Sequence, residues 1–297
     1  MHEGRRHTSH AWRVSAALGA VCVVLLVTAC ARHSATAPAP PDETPALERA
    51  LAASGFASAN LYPAGTMILG PPGPPGDARA YAFRHVEHRK DAGLSWQISE
   101  PDAGGRPLRA EAYMCWYVKT DFFLFVTDLY GAPVAIGKPR PNEDADRSYV
   151  FRRDSARSPW RLDSLTIGES LSDDKIACPT CHTELVSVRV IAPGLDTLLA
   201  RHLHPFTGAP RIALGTPLHI VASSKQPGDA MFVDNGGEWT RLDATGPSTF
   251  AGDVMPHAGF THLAVQAMTD SSLVAVGEHF SQFTWIMEYE GIPATPH

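Results

Sequence analysis

The segment of this sequence with the most specific chemistry is Cys178-Pro179-Thr180-Cys181-His182. Two thiols separated by two residues and followed at once by a histidine form the attachment signature of c-type haem. The thiols can add across the two vinyl groups of the porphyrin, and the histidine is then directed at the iron as its axial ligand. The segment therefore predicts one covalent haem c, anchored by Cys178 and Cys181 and ligated by His182.

The same two cysteines also suit chemistry without haem. They could form a local disulfide, or a redox-active dithiol in which His182 lowers the pKa of a thiol. A redox-active pair of this spacing normally begins a helix, whereas the following residues, Glu184 to Val190, are rich in β-branched side chains. The haem interpretation is preferred, and a disulfide or redox pair is the alternative.

Two further metal chemistries involve residues downstream of the motif. The two cysteines, together with His202 and His204, would supply four ligands for zinc, although this spacing is loose. Met255 precedes Pro256, as the distal methionine of helical c-type cytochromes often does, and it lies 73 residues after His182 (255 − 182). Met255 is thus a candidate sixth ligand of the iron, and an ordinary loop methionine is the other interpretation.

The N-terminus has the three parts of an export signal. A basic start is followed by the uncharged apolar run Val14 to Val27 and then by Val27-Thr28-Ala29-Cys30. This last segment resembles the lipobox of bacterial lipoproteins. The resemblance implies cleavage after residue 29, acylation of Cys30 and attachment to the lipid bilayer. Because Ala31 rather than aspartate follows the cysteine, sorting to the outer membrane of a Gram-negative envelope is favoured.

Composition and charge limit the kinds of partner and structure that are expected for the mature chain. Residues 31–45 are rich in Ala and Pro, which predicts a solvated tether. The net charge is −6, the pI is near 6.1, and no basic run follows the signal, so nucleic acid is excluded as a partner. Cys22 is removed with the signal peptide, Cys30 is the lipid site, and Cys178 and Cys181 belong to the motif. The remaining cysteine is Cys115, which is predicted to be a buried free thiol.

Short β-type runs punctuated by turn residues dominate the mature chain. A helix is predicted over Thr44 to Ser54 and another over Asp196 to His204. Beyond His204 the pattern predicts seven short strands: Leu218 to Ala222, Ala230 to Val233, Trp239 to Leu242, Thr249 to Ala251, His262 to Met268, Leu273 to Val276 and Phe283 to Tyr289. Their number and spacing are typical of an immunoglobulin-like sandwich.

We therefore predict a mainly β protein in four segments. Residues 1–29 are the signal peptide, and residues 30–46 are the lipidated cysteine and the tether. Residues 47–205 form an antiparallel β-rich haem domain with a few short helices. Residues 206–297 form an immunoglobulin-like β-sandwich, which is expected to fold alone from about residue 209.

A short pattern recurs on either side of this boundary. Asp91-x-Gly93-x-x-Trp96 and Asp234-x-Gly236-x-x-Trp239 both match the core of a hairpin found in β-propeller blades. The spacing between the copies is uneven and longer than a blade. Chance recurrence in a β protein is therefore the favoured interpretation.

A β-rich domain that ends in the haem motif resembles the cytochrome P460 and cytochrome c′-β group, over roughly Leu47 to His204. Tyr62-Pro63-Ala64-Gly65-Thr66 is similar to the P-x-G-T strand of that group, and a strand containing Trp160 precedes the motif. The lysine that cross-links haem in P460 proteins is missing after the P-x-G-T strand. The resemblance thus implies a β-sheet haem protein without hydroxylamine chemistry.

Together these features predict a membrane-anchored, periplasm-facing protein with one c-type haem. It would transfer electrons with a redox partner protein or handle small ligands at the iron, and oxidoreductase activity is left open. The alternative is a β-rich envelope lipoprotein without haem. That protein would act as a binding module, with Cys178 and Cys181 as a disulfide or redox pair.

Overall fold

The computed structural model divides the chain into two compact units, Met1–Pro38 and Ala39–His297. It describes residues 43–56, 66–69, 81–102, 105–127, 133–137, 142–173, 182–199, 201, 204–269, 272 and 281–294, all of which belong to the second unit. The predicted signal, the lipid-bearing Cys30 and most of the tether lie outside these residues. Within the described part, no helix is long and apolar enough to cross a membrane.

The predicted first helix is present as α1 (Thr44–Ala53). Pro45 lies in its first turn, where a missing backbone N–H breaks no helical hydrogen bond. Leu47 and Leu51 are four residues apart, share one face and are both buried. The helix therefore holds the start of the described chain against the core.

Strands make up most of the described residues and the helix α1 only ten of them, which confirms the prediction of a mainly β protein. The strands are β1 (Thr66–Leu69), β2 (Tyr81–Pro101), β3 (Pro107–Thr127), β4 (Pro133–Gly137), β5 (Asn142–Arg152), β6 (Arg161–Leu165), β7 (Gly168–Asp173), β8 (Leu185–Ala192), β9 (Leu195–Leu199), β10 (His204–Pro205), β11 (Arg211–Ala213), β12 (Leu218–Ser224), β13 (Ala230–Asn235), β14 (Glu238–Arg241), β15 (Asp243–Ala244), β16 (Thr249–Val254), β17 (Gly259–Met268) and β18 (Ser281–Ile292).

The larger sheet has the strand order β1-β2-β3-β5-β7-β18-β17-β13-β14. Four short strands are attached to it: β4 pairs with β3, β6 with β5, β10 with β6, and β11 with β18. All of its described pairs are antiparallel except β11–β18. The Cα atoms of β1 and β14 approach within 8 Å, so the sheet coils until its two end strands meet. Strand twist of one constant hand accumulates in this way over many strands.

The smaller sheet has the order β15-β16-β12-β8-β9 and packs on one face of the larger sheet. Val188 and Ile220 from the smaller sheet share a buried cluster with Val265, Trp285 and Tyr289 from the larger one. These residues recur at every second position of their strands, as the strand period requires. The apolar contact between the two sheets is therefore one of the two cores of the described structure.

The opposite face of the larger sheet forms the second core. Phe56, Tyr149, Phe151 and Ile286 lie there together with the apolar face of α1. Ile286 belongs to this core, whereas its neighbour Trp285 belongs to the core between the sheets. Strand β18 is thus buried on both of its faces.

Strand pairing crosses the predicted boundary after residue 205. Strand β18 pairs with β7, and β12 pairs with β8, so both sheets combine strands from before and after that position. Six of the seven strands predicted after His204 are present, and the seventh, Leu273 to Val276, lies outside the described residues. They are distributed between the two sheets and share each sheet with earlier strands.

The predicted helix over Asp196 to His204 is wrong. Residues 195–199 form β9, which pairs with β8 through a two-residue turn, Pro193-Gly194. Gly194 has a φ of 77°, a conformation that glycine adopts without steric cost. The exposed Arg189 donates hydrogen bonds of 2.6 and 2.7 Å to Asp196 across the two strands. The turn and the cross-strand pair outweigh the weak helical spacing of the leucines.

Candidate functional site

The structure describes two of the residues that the sequence predicts for the haem site, His182 and Met255. Cys178 and Cys181 lie outside the described residues, as does the lipid site Cys30. His202 lies outside them too, and of His204 only the backbone, in β10, is described. The arrangement around His182 and Met255 is therefore what bears on the predicted chemistry.

His182 is half-buried and leads into β8. The next residue, Thr183, is buried, and its backbone N–H donates a hydrogen bond of 3.1 Å to Oγ of Ser281. Its hydroxyl Oγ1 donates a second bond of 2.7 Å to Oδ2 of Asp229. Two buried hydrogen bonds thus fix the residue that directly follows the motif.

Ser281 also marks the other end of the motif-bearing connection. As the first residue of β18, it pairs with Asp173, the last residue of β7. The chain thus leaves the larger sheet at Asp173 and is described again from His182, and Ser281 lies beside both Asp173 and Thr183. Functional groups are commonly carried on such connections, whose ends are held by a rigid scaffold.

A network of buried hydroxyl groups supports this junction. Ser281 N–H donates to Oγ of Ser272 at 2.9 Å, and that hydroxyl donates to the carbonyl oxygen of Ser281 at 3.2 Å. Oγ1 of Thr269 lies 2.6 Å from Oγ of Ser272. All three side chains are buried. Closed polar networks of this kind give a local structure a single conformation.

Asp229 is the ionisable group of this network. Burial raises the pKa of its carboxyl group above the ordinary value, and hydrogen bonds from Thr183, Ser224 and the backbone of Gln226 offset this only in part. A buried carboxylate that keeps such partners is tolerated, but its charge still opposes folding. Asp229 therefore makes the anchorage of Thr183 sensitive to pH.

Charged side chains surround the beginning of β8. Glu184 accepts hydrogen bonds from Lys225 at 3.1 Å and from Arg201 at 3.4 Å. Arg201 also binds both carboxylate oxygens of Glu169, which in turn accepts a bond of 3.2 Å from the indole N–H of Trp285. Both basic side chains are about half exposed or more. Each of them is already paired with at least one carboxylate.

Met255 lies far from His182. His182 is three residues before Leu185, and Leu185 pairs with Ser224 at the end of β12. Met255 directly follows Val254, and Val254 pairs with Leu218 at the beginning of β12. Seven residues of β12 separate the two ends, or about 20 Å along the strand. The Met255 side chain is 54% exposed. This placement counts against Met255 as a ligand of the same iron.

Cys115 is a free thiol, as predicted, but it is half-buried rather than buried. It faces Gly93 on the neighbouring strand, and a Cβ atom on Gly93 would lie 3.1 Å from its sulfur. The absence of a side chain at Gly93 thus provides room for the thiol.

Among the side chains that the structure describes, no three His, Cys, Asp or Glu residues gather to hold a metal ion.

A second polar site, which the sequence did not reveal, lies in the core beneath α1. Arg147 is fully buried and donates to both carboxylate oxygens of Glu288 and, at 3.1 Å, to the carbonyl oxygen of Ile286. Burial opposes the charge of Arg147, but Glu288 outweighs it and raises the arginine pKa. Strand β7, which begins at Gly168, lies between the two strands that carry them. The sequence carried one signal for this buried site. Arg147, Tyr149 and Phe151 are at every second position of β5, so their side chains lie on the same face of the strand.

Burial also raises the pKa of the neighbouring Tyr149 to about 12. Its hydroxyl lies 3.4 Å from the carbonyl oxygen of Phe56. The tyrosine is therefore a neutral hydrogen-bonding group at ordinary pH, and it adds no charge to this part of the core.

Comparison with protein-family models, with curated proteins and with solved structures finds no match for this chain. The resemblance to the cytochrome P460 and cytochrome c′-β group stays a prediction from the sequence.

Proposed function

We propose that the mature protein is a lipid-anchored envelope protein that carries one covalent haem c, bound through Cys178 and Cys181 and ligated by His182. The proposal rests on the motif and the export signal in the sequence. When bound, the haem would supply an iron that accepts an electron or a small ligand. Attachment consumes no oxidant, because each sulfur bonds to one vinyl carbon and its proton goes to the other.

The observation that best supports the proposal is the anchorage at Ser281 of Thr183, the residue that directly follows the motif. Asp173, where the motif-bearing connection begins, lies opposite Ser281 in the β7–β18 pairing, and Thr183, where it ends, donates a hydrogen bond to the Ser281 hydroxyl. An axial ligand must be held in a fixed orientation by the residues around it. Thr183, with its buried bonds, gives the adjacent His182 a rigid base.

The position of Met255 distinguishes the two uses of such an iron. An electron-transfer haem generally has a protein side chain as its sixth ligand, and Met255 lies at the wrong end of β12 for this role. We therefore favour the handling of a small ligand at the iron over electron transfer. Met255→Ala is expected to leave the haem absorption spectrum unchanged.

The test is expression in a bacterium that has the c-type haem attachment machinery. Wild-type protein and the control variant Cys115→Ser should carry haem that survives denaturation and gel electrophoresis. The variant Cys178→Ser/Cys181→Ser should carry none. His182→Ala should retain covalent haem with a changed absorption spectrum. Wild-type protein without covalent haem under these conditions would refute the proposal.

The alternative is a binding lipoprotein without haem, in which Cys178 and Cys181 form a disulfide or redox pair. The specific observation in its favour is a partly apolar cavity whose lining includes residues of the second core and neither cysteine. Alkylation before and after reduction, followed by mass spectrometry, distinguishes the two. The alternative predicts two additional alkylated thiols after reduction, whereas the haem proposal predicts none.

A further inference from the structure

A cavity of about 190 Å³ lies where the two cores of the described structure meet. Six apolar side chains, three from each core, are part of its wall: Ile167, Leu199, Met287, Phe56, Leu165 and Ile286. None of the lining residues belongs to the motif or to the cluster around Thr183. The cavity is therefore separate from the residues that are proposed to hold haem.

The loop that follows β10 covers the cavity. Its two ends are held by backbone hydrogen bonds: Phe206 N–H donates to the carbonyl oxygen of Asp163 at 2.7 Å, and Glu290 N–H donates to that of Pro210 at 2.8 Å. Residues 207–209, between these ends, line the cavity and make no backbone hydrogen bond to another described residue. The centre of the loop can therefore move aside without breaking such a bond, which gives a ligand a way in from the surface.

The charged side chains in the wall have no free hydrogen-bonding capacity to offer. Arg147 is fully buried, and its guanidinium is bonded to Glu288, to Tyr149 and to the carbonyl oxygen of Ile286. Glu288 is buried as well, and both of its carboxylate oxygens accept from Arg147. A ligand in the cavity therefore gains no ion pair and no hydrogen bond from this pair.

The hydroxyl groups in the wall give little more. Oγ1 of Thr166 already accepts a hydrogen bond of 3.0 Å from the backbone N–H of Ser148. Thr197 is half-buried and Thr207 is exposed, so both are within reach of water. A polar ligand would give up its hydrogen bonds to water without an equal return, and a charged ligand would lose its hydration as well. The wall therefore favours an uncharged, apolar ligand.

The size of the cavity limits the ligand further. An apolar cavity of about 150 Å³ is large enough to hold benzene. A volume of about 190 Å³ has room for one six-membered ring with a small substituent. Phe56 and Phe206, which meet edge to face with ring centroids 5.0 Å apart, give the wall an aromatic surface against which a ring can pack.

We propose that this cavity binds a small, uncharged, apolar molecule of the size of a single six-membered ring. The ligand is held by contact with apolar side chains of both cores and forms no hydrogen bond with the protein. It enters at the centre of the covering loop, residues 207–209.

Two probes of equal size test the class of ligand. Toluene and phenol have the same number of non-hydrogen atoms, but phenol carries a hydroxyl group that the cavity leaves without a partner. Calorimetry and ligand-observed NMR in sealed samples of the full mature chain should show that toluene binds about tenfold more tightly than phenol.

A pair of matched variants tests the place of binding. Ala209→Phe adds a phenyl ring at a half-buried position of the wall and should weaken toluene binding by at least about tenfold. Ala244→Phe makes the same change at an exposed position of β15, outside the cavity, and should bind toluene as the wild type does. Circular dichroism and thermal melting show whether each variant is folded.

Methyl NMR of the wild-type protein locates the ligand without any substitution. Toluene should shift the methyl signals of Leu165, Leu199 and Ile286, which line the cavity. Val188 is buried in the core between the sheets but does not line the cavity, so its methyl signals should stay in place.

The proposal is overturned if wild-type protein does not bind toluene, if it binds phenol as tightly, or if folded Ala209→Phe binds toluene unchanged. Toluene that shifts Val188 but none of the three lining residues would also overturn it. The variant Cys178→Ser/Cys181→Ser, which cannot hold covalent haem, should bind toluene as the wild type does. Loss of toluene binding in that variant would place the ligand at the motif instead, so the cavity and the haem proposals fail separately.

Discussion

At the residue scale, Thr183 connects the predicted chemistry to the fold. It follows the histidine of the motif, and both its backbone and its hydroxyl are bound inside the protein. A sequence pattern identifies the histidine, but nothing in the sequence marks the threonine as its support. The partners Asp229 and Ser281 lie 46 and 98 residues away along the chain. Only the tertiary structure brings them together.

Replacing Thr183 by valine should destabilise the protein by about 1–3 kcal/mol, because Asp229 then loses a buried hydrogen-bond donor. Thr183→Ser keeps the hydroxyl group and should retain most of the stability. The matched control Thr207→Val changes an exposed threonine and should have an effect of less than about 0.5 kcal/mol. Urea unfolding followed by circular dichroism measures all three. Equal loss in the two valine variants would contradict the assigned role of Thr183.

The charge of Asp229 should make stability depend on pH. Its folded-state pKa is raised above 3.8 by burial, so the native state binds a proton more tightly than the unfolded state. The stability that this proton contributes is lost as pH rises through the folded-state pKa. Asp229→Asn should therefore become more stable relative to wild type between pH 4 and pH 7. Asp154→Asn, at an exposed aspartate, is the control. A relative stability that falls over this range would refute the assignment.

At the element scale, the sequence predicted where strands occur better than where they end. Glycine is a frequent turn residue, but Gly93 lies inside the continuous strand β2, opposite Cys115 of β3. The two copies of the Asp-x-Gly-x-x-Trp pattern also differ in structure. Asp234 to Trp239 forms the hairpin between β13 and β14, whereas Asp91 to Trp96 lies within β2. Whether a segment forms a turn or continues a strand depends on the strands that pair with it, which local sequence patterns do not encode.

The Arg147–Glu288 pair links two strands that are not neighbours, β5 and β18. Arg147→Met should destabilise the protein by about 3–5 kcal/mol, since Glu288 is left buried without its cation. Arg147→Met/Glu288→Met should recover most of this loss. The exposed pair Arg189–Asp196 is the matched control, and Arg189→Met should leave stability almost unchanged. Denaturant unfolding of wild type, Arg147→Met, Glu288→Met and the double variant gives the coupling free energy, and Arg189→Met is measured beside them. A double variant as unstable as Arg147→Met would show that the arginine acts through packing alone.

At the scale of the whole molecule, the two sheets depend on strands from both parts of the chain. The pattern shift after His204 correctly indicated more strands, but no local pattern indicated that β12 would pair with β8 or β18 with β7. Long-range pairing is set by which apolar faces can be buried together. Here Val188 and Val190 of the smaller sheet complete a core with residues that follow them by up to about one hundred positions. The motif-bearing connection joins the two sheets as a result.

This shared architecture makes a prediction about fragments. A fragment of residues 206–297 lacks β7 and β8, so one edge of β18 and one edge of β12 would be unpaired and the core between the sheets would lack Val188 and Val190. Exposed edges and exposed apolar surface favour aggregation over folding. We expect no cooperative thermal unfolding and poor chemical-shift dispersion for this fragment. A fragment of residues 39–297, which contains every described strand, should unfold cooperatively with a β-type circular dichroism spectrum. Cooperative unfolding of residues 206–297 alone would show that the later strands form a domain of their own, as the strand count first suggested.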